Sequence, residues 1–284
     1  MVKTLVFIHG WASTQDVWQS QRDYFAGNYE VILPDISRAK EIKEAAEIVN
    51  VSLAIKRDFV LIGWSLGWLV VLELLKNFKI SPQGIVAVNS TPKLIDDGYL
   101  GAGPTRTHLA KMIRDCKHNP EKMLDNFYKG ILTDTAKDML KGIKPKNIDT
   151  FGGAQTPPFP AKRDPAGQKI VVRDRAGKEC AALSINPEHT TVFRPWCGRI
   201  DYDRLIYGLY ILRDCDYRDF ISEINIPALI IVGAKDGICP PQASEYMRSR
   251  IKHAQLKILD CGHMPFLDKA NEFNTILENF VKEL

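Results

Sequence analysis

Residues 59 to 67 decide the fold and read Phe59-Val60-Leu61-Ile62-Gly63-Trp64-Ser65-Leu66-Gly67. Their first four residues form a short apolar run, which predicts a buried strand ending at Gly63. The stretch from Leu66 to Lys76 is strongly apolar and long enough to be a buried helix. A G-x-S-x-G pattern between a strand and a helix makes a sharp turn that exposes the serine hydroxyl at the carboxyl edge of the sheet. We therefore predict Ser65 as a nucleophile at that edge, where open α/β sheets place their sites.

Five more apolar runs lie on either side of this turn and predict strands. They are Leu5–Ile8, Glu30–Leu33, Gly84–Val88, Ala228–Val232 and Leu256–Leu259. Helical patterns alternate with them, for example over residues 40 to 56 and from about Ala270 to Leu284. Strands that are apolar on both faces and alternate with helices predict a mostly parallel sheet flanked by helices. The fold class is therefore α/β.

The alternation stops between about residues 93 and 225. We interpret 93–225 as a mainly helical lid, inserted into a core formed by residues 1–92 and 226–284. Residues 105–141 and 201–223 have helical patterns, whereas 145–200 is an atypical extra segment with many Pro and Gly residues. One hairpin is predicted within it, pairing Gln168–Arg173 with Lys178–Leu183.

Composition restricts the class of protein. The chain has 284 residues, 45% of them hydrophobic and 25% charged, as in globular proteins, and its net charge of +4 is too small to indicate nucleic-acid binding. No apolar run is long enough to cross a membrane, and the first residues lack the pattern of a secretory signal. The six cysteines form no C-x-x-C pair and have no zinc spacing. We expect a cytoplasmic monomer that binds neither membrane nor metal and needs no cofactor.

A serine hydroxyl is a weak nucleophile and needs a base, which in turn needs a carboxylate to orient it. His263 lies in the segment that directly follows the strand predicted at Leu256–Leu259, so we expect its ring at the same sheet edge as Ser65. Asp236 follows the strand before it, again at the carboxyl edge. Asp260 is a rival acid, but it lies too near His263 in sequence to reach beneath its ring easily.

A tetrahedral intermediate formed on such a serine also needs backbone N–H groups to hold its oxyanion. The residue after the nucleophile, Leu66, supplies one of them, and Trp11 in the loop after the first strand is the candidate for the second. His9 is expected to brace that loop rather than to transfer protons. We expect four residues to contact the substrate: Trp11, Trp64, Asn89 and Ser90.

These segments together resemble α/β hydrolases, in which nucleophile, acid and base follow in this order. The G-W-S-L-G turn, the H-G-W loop at His9 and the Cys261–Phe266 segment are most similar to the pimeloyl-acyl-carrier-protein methyl ester esterases of biotin synthesis. The resemblance implies the α/β-hydrolase fold and a Ser65, Asp236 and His263 triad. It also implies hydrolysis of a methyl ester on an acyl chain held by an acidic carrier protein.

The family binds its carrier through basic residues of the lid. Residues 93 to 200 hold 19 Lys and Arg against 12 Asp and Glu, a net charge of +7. The candidates for carrier contact are Arg106, Lys111, Arg114 and Lys117, chosen by charge and helical setting alone. Trp68 departs from the family, which usually has a small residue there. We expect its side chain to point out of the tight contact between helix and sheet, unless the packing differs.

Two other functions fit the same residues. A general small-molecule carboxylesterase or lactonase would use the triad without a carrier, and the basic lid argues mildly against it. A non-catalytic binding protein could retain the fold as a receptor, but such proteins commonly lose a member of the triad.

Overall fold

The computed structural model describes residues 3–54, 56–100, 103–133, 169–173, 179–184 and 202–284. Side chains in 169–184 and at 202 and 203 are not among the described parts. The other residues of the 145–200 segment, and the 174–178 turn of the expected hairpin, lie outside the described residues.

A six-stranded parallel sheet forms the centre of the molecule, in the order β2-β1-β3-β4-β7-β8. The strands are β1 (Thr4–Ile8), β2 (Glu30–Ile32), β3 (Phe59–Trp64), β4 (Gly84–Val88), β7 (Ala228–Gly233) and β8 (Ala254–Leu259). All six strand predictions are confirmed, with ends shifted by one or two residues. The parallel register, for example Ile8 opposite Gly63 on β1 and β3, brings the carboxyl ends of the strands to one edge.

Helices cover both faces of the sheet. One face packs against α2 (Ile42–Ser52), α3 (Leu66–Asn77) and α7 (Pro241–Arg250), and the other against α1 (Gln19–Phe25), α8 (Pro265–Asp268) and α9 (Ala270–Glu283). Side chains on β1 alternate accordingly, with Val6 and Ile8 in the first core cluster and Leu5 and Phe7 in the second. Each such buried side chain contributes about 1.5–3 kcal/mol relative to exposure.

The two edge strands correct the expectation that every strand is apolar on both faces. On β8 only Ala254 and Leu259 are buried, and Ile258 is 51% exposed. On β2 no residue is fully buried. An edge strand has a neighbour on one side only, so water and loops replace part of the helical cover.

Three α-helices occupy the interval between β4 and β7 among the described residues. They are α4 (Arg106–His118), α5 (Pro120–Ile131) and α6 (Tyr202–Asp214), and α4 packs against both of the others. The described part of the helical pattern predicted over 105–141 forms two helices, because Asn119 ends the first and caps the second by accepting from Lys122 N–H. Residues 134–141 lie outside the described residues. The hairpin is confirmed as β5 (Lys169–Arg173) antiparallel to β6 (Glu179–Ser184).

Trp68 is fully buried on α3, in the core cluster that also contains Leu205 and Leu209 of α6. The core on this face of the sheet therefore accommodates a large aromatic side chain. That the side chain points out of the tight contact between helix and sheet stays a prediction. Among the described residues, no hydrogen-bond partner reaches its indole nitrogen.

No helix of the described ranges is both long and apolar enough to cross a membrane.

Candidate active site

Ser65 lies in a strained turn between β3 and α3. Its backbone has φ 54° and ψ −118°, a conformation that is uncommon for residues other than glycine. Three bonds around it hold the turn. The Ser65 N–H donates to Val88 O (3.0 Å), the Ser90 hydroxyl donates to Ser65 O (2.7 Å), and the Trp68 N–H donates to the same oxygen (3.1 Å). Ser65 remains partly exposed while its neighbours on both sides are buried. The structure thus confirms the sharp turn between strand and helix that the motif predicts.

Two glycines allow this turn because the backbone passes very close to its neighbours. A Cβ on Gly63 would lie 2.6 Å from Gly67 O, and one on Gly67 would overlap Ile8 O on β1. Any side chain at either position would push the turn away from the sheet. Both glycines of the G-x-S-x-G pattern are therefore required sterically.

Asp236 and His263 meet at the carboxyl edge of β7 and β8. His263 Nδ1 lies 2.8 Å from Asp236 Oδ2, and both side chains are almost completely buried. The other carboxylate oxygen of Asp236 accepts from the N–H groups of Ile238 (2.8 Å) and Cys239 (3.1 Å). With Nδ1 bound to the carboxylate, Nε2 is the ring nitrogen left for proton exchange with a reacting group. Among the described residues, no hydrogen bond joins the Ser65 hydroxyl to His263.

Asp260 points away from this pair. Its side chain is 72% exposed and pairs with Lys235 at 2.6 Å, which lowers the pKa of the Asp260 carboxyl and raises that of Lys235. The carboxylate that His263 contacts is therefore Asp236.

The loop after β1 contains the second expected oxyanion donor. Ala12 has a positive φ of 58°, so the chain turns sharply directly after Trp11. The Trp11 indole donates to Leu205 O on α6 (2.8 Å), and its ring lies edge-on to Phe127 on α5. The Tyr128 hydroxyl, also on α5, donates to Ala12 O. Helices α5 and α6 thus both contact the loop after β1. Leu66 is the first residue of α3, where backbone N–H groups have no partner within the helix.

His9 contacts the backbone of its own loop and of the loop after β2. Its Nδ1 lies 2.9 Å from Gly10 O, and its Nε2 accepts from Ile36 N–H (3.0 Å) and lies 3.3 Å from the Asp35 carboxylate. Burial alone would raise the pKa of Asp35, but hydrogen bonds with His9 and Ser37 lower it overall. These contacts agree with a bracing role.

The four residues expected to contact substrate are all buried. Trp11 is 7% exposed, Ser90 2%, Trp64 1% and Asn89 0%. The Trp64 indole donates to His263 O (3.0 Å), and the Asn89 amide donates to Asp236 Oδ2 (2.6 Å). Trp64 and Asn89 present no surface to a substrate in this structure and contact the base and the acid instead. The expected substrate contact of all four stays a prediction.

Asp268 is a residue of the site that sequence reasoning missed. Its buried carboxylate accepts from the Gly262 N–H (3.1 Å), directly before His263, and from the Thr133 hydroxyl after α5. It follows the Pro265–Phe266 segment by two residues, but nothing in the local pattern marks it as a loop anchor.

Basic side chains line the outer surface of α4. Arg106, Lys111, Arg114 and Lys117 are all exposed, whereas Leu109 and Cys116 face inward. Asp115 pairs with Lys111 and lies 4.0 Å from Arg114, and the hydrogen bond from Lys111 lowers the pKa of Asp115.

One group in the described part of the chain has the composition of a metal site. Ligand atoms of Asp236, Cys239 and His263 lie within 4.8 Å of one another. Hydrogen bonds already engage the carboxylate of Asp236, and burial raises the pKa of the Cys239 thiol well above its usual range, which disfavours the thiolate that binds metals.

Comparison with known proteins identifies the family of this chain. Residues 3–270 match the family described as the alpha/beta hydrolase fold. The chain belongs to the α/β-hydrolase-fold family. A pimeloyl-[acyl-carrier protein] methyl ester esterase of Aromatoleum aromaticum is 22% identical over 98% of each chain. Proteins of the same name from Neisseria meningitidis serogroup A and Legionella pneumophila (strain Corby) are each 23% identical, covering 99% and 98% of this chain and 77% and 95% of their own.

Solved structures agree on the α/β-hydrolase fold. An esterase from Exiguobacterium antarcticum superposes with a TM-score of 0.73 at 21% identity, covering 99% of this chain and 92% of its own. A bromoperoxidase from Bacillus anthracis has the same TM-score at 17% identity and the same coverage. The predicted fold and the predicted resemblance are therefore confirmed. Family membership and the esterase relatives support the prediction of a carboxylic ester hydrolase.

Proposed function

We propose that this α/β hydrolase is a serine carboxylesterase with Ser65 as nucleophile, His263 as general base and acid, and Asp236 as the orienting acid. One observation carries the proposal: a buried, hydrogen-bonded pair of Asp236 and His263 stands at the same sheet edge as a serine in a strained turn. A purely structural role explains neither the strain at Ser65 nor the nearly complete burial of a carboxylate beside an imidazole.

The proposed reaction proceeds in two halves. His263 Nε2 takes the Ser65 proton as the hydroxyl oxygen forms a bond to the ester carbonyl carbon. The bond between that carbon and the alkoxy oxygen then breaks, and His263 gives its proton to the departing alcohol. Water attacks the acyl-serine with the same base, and the acid leaves as Ser65 regains its proton. Asp236 stabilises the imidazolium in both halves and is not itself protonated.

In this mechanism the N–H groups of Trp11 and Leu66 hold the oxyanion. Each such donor lowers the barrier by roughly 3 kcal/mol. Trp11 also belongs to the substrate pocket, together with Ser90. We assign residues 93–225 as the lid over the core formed by residues 1–92 and 226–284, because α5 and α6 contact the oxyanion loop from above the sheet edge.

For the substrate we propose the methyl ester of a pimeloyl chain carried by an acidic acyl-carrier protein, as used in biotin synthesis. Two facts support it: the names of the relatives, and the exposed basic residues of α4. Arg106, Lys111, Arg114 and Lys117 would attract an acidic carrier and speed its association.

The test compares methyl pimeloyl-carrier with a free p-nitrophenyl ester at increasing salt. We expect a higher kcat/KM for the carrier-linked ester, falling as salt screens the charges, and little salt dependence for the free ester. The double variant Arg114→Glu/Lys117→Glu should lose the preference, whereas Lys252→Glu, exposed at the opposite sheet edge, should keep it. If both esters are turned over equally and independently of salt, the proposed carrier-linked substrate is refuted and the protein is a general carboxylesterase.

A further inference from the structure

Asn89 directly follows β4, between the nucleophile strand β3 and the acid strand β7. Its side chain is completely buried and makes three hydrogen bonds. The amide nitrogen donates to Asp236 Oδ2 (2.6 Å) and to Gly262 O (3.1 Å), and the amide oxygen accepts from Gly233 N–H (3.3 Å). One side chain therefore binds the triad acid, the strand end before it and the loop that carries His263.

The residues on either side of Asn89 hold the nucleophile turn. Val88 O accepts from Ser65 N–H, and the Ser90 hydroxyl donates to Ser65 O. The Asn89 N–H itself donates to Ile231 O on β7 (2.8 Å). The three residues 88–90 thus contact all three loops from which the proposed catalytic groups project.

We propose that Asn89 is a positioning residue that fixes Asp236 against His263 and sets the distance between the acid loop and the base loop. The proposal rests on the function proposed above, because it assigns Asn89 a role in that triad. Asn89 touches neither the reacting atoms nor, in this structure, a surface open to substrate.

The chemistry of the position favours asparagine. The backbone φ of 43° lies in the left-handed region, which asparagine, aspartate and glycine tolerate best. Only an amide offers two N–H donors to the oxygens of Asp236 and Gly262 and an acceptor to an N–H group. Aspartate would keep the shape and the acceptor, but it would place a second carboxylate against Asp236 Oδ2.

Asn89 and His263 share one acceptor oxygen, Asp236 Oδ2, and the amide can therefore affect catalysis through the position of this carboxylate. Both donate to Asp236 Oδ2, while Oδ1 is held by two backbone N–H groups. Without the amide, the carboxylate can rotate about its last bond and the His263 loop loses its tie through Gly262. The imidazole would then meet Ser65 less often in the reactive geometry, which lowers kcat more than substrate binding.

The experiment compares Asn89→Asp and Asn89→Gly with Asn274→Asp. Asn274 is also a buried amide, but it lies on α9 and accepts from Gln21. With a free p-nitrophenyl ester we expect kcat to fall about 10- to 100-fold in both Asn89 variants, with KM changed less than about 3-fold. Asn274→Asp should keep kcat per folded molecule. Loss of activity only in proportion to unfolded protein would overturn the proposal.

A spectroscopic readout separates this proposal from the proposed function. The Nδ1 proton of His263, bonded to Asp236, should give a low-field proton resonance, and both Asn89 variants should shift it. The same shift should occur in a Ser65→Ala background, where catalysis is not needed. If Ser65→Ala retains esterase activity, the proposed function fails, whereas an unchanged low-field resonance in the Asn89 variants refutes the positioning role.

The unsubstituted protein gives a measurement that does not depend on variants of Asn89. With ¹⁵N-labelled asparagine, we expect the side-chain amide protons of Asn89 to exchange slowly with solvent. Their chemical shifts should move on Asp236→Asn. A rapidly exchanging Asn89 amide, or one that is insensitive to Asp236→Asn, would contradict the proposal even if no Asn89 variant folds.

Discussion

Asp236 and Asp260 both follow strands at the active edge, and they provide a matched pair of substitutions. In Asp236→Asn we expect kcat to fall by about 10⁴-fold, the loss this change causes in a serine protease, because the amide favours the wrong tautomer of His263. Asp260→Asn removes an exposed ion pair and should change kcat less than about 2-fold. Steady-state kinetics on a free ester measure both. Similar losses in the two variants would contradict the assignment of the acid.

Trp68 gives a prediction on stability. It is fully buried on α3 in the core on one face of the sheet, so Trp68→Ala should lower the free energy of unfolding by about 3–5 kcal/mol. Trp68→Phe should cost less, because it keeps most of the ring contacts and removes an indole N–H without a partner in the described residues. Urea denaturation measures both changes. A loss below about 1 kcal/mol for Trp68→Ala would mean that the side chain is not packed as described.

The sequence could predict that Ser65, Asp236 and His263 lie at one edge of the sheet, because each comes within four residues of the end of a predicted strand. It could not predict what Asn89 contacts. Its partners at positions 233, 236 and 262 are distant in sequence, and only the folded sheet brings them together. For the same reason Asp268 gave no local signal.

At the level of elements, helices α5 and α6 contact the loop after β1, which we propose binds the oxyanion. Removing the hydroxyl that binds Ala12 O, in Tyr128→Phe, should lower kcat/KM on a free ester by about 10-fold, the effect of one lost hydrogen bond on the placement of the Trp11 N–H. Tyr24→Phe makes the same change at an exposed tyrosine of α1 and should have no effect. Equal kinetics for the two variants would show that α5 does not position the loop.

Elements with strongly apolar patterns were predictable, and two mainly polar helices were not. β1 and α3 are almost entirely buried, so nearly every residue in them contributes to the apolar run that predicts the element. Helix α1 buries only Gln21 and Phe25, and α7 buries two small residues and Met247. A helix that buries so few side chains against the sheet has too weak a hydrophobic periodicity to be predicted from its sequence.

At the scale of the whole molecule, a network of four charges ties the start of the insertion to its end. Lys93 pairs with Asp97 (2.6 Å) and Asp216 (3.1 Å), and Arg218 pairs with the same two carboxylates at 3.1 and 2.7 Å. We call these four residues the neck network. The Arg218 guanidinium also lies over the ring of Tyr99.

The neck network should stabilise its own region more than the central sheet. Lys93 is buried while its partners are partly exposed, so Lys93→Met should cost about 2 kcal/mol, between the values for exposed and buried pairs. We expect faster hydrogen exchange over residues 91–99 and 216–221 and unchanged exchange in β3 and β4. Equal acceleration throughout the sheet, or none at the neck, would contradict this local role.

Low pH should lower the stability that the neck network contributes. Burial alone would raise the pKa of Asp216, but hydrogen bonds from Arg218 and Lys93 lower it to about 2. The unfolded value is about 3.9, so the ionised group stabilises the folded chain above about pH 4 and loses this contribution as the pH falls toward 2. Between pH 4 and 2, Asp216→Asn should show a weaker pH dependence of stability than the unsubstituted protein. Identical slopes would refute this.

Covalent labelling combined with turnover measurements tests whether Ser65 is the nucleophile of an esterase. The protein is treated with a fluorophosphonate and mapped by peptide mass spectrometry, and ester hydrolysis is measured for the unsubstituted protein and Ser65→Ala. We predict one adduct, on Ser65, and no label or turnover in Ser65→Ala. Hydrolysis that persists in Ser65→Ala, or an adduct on another residue, would contradict the account.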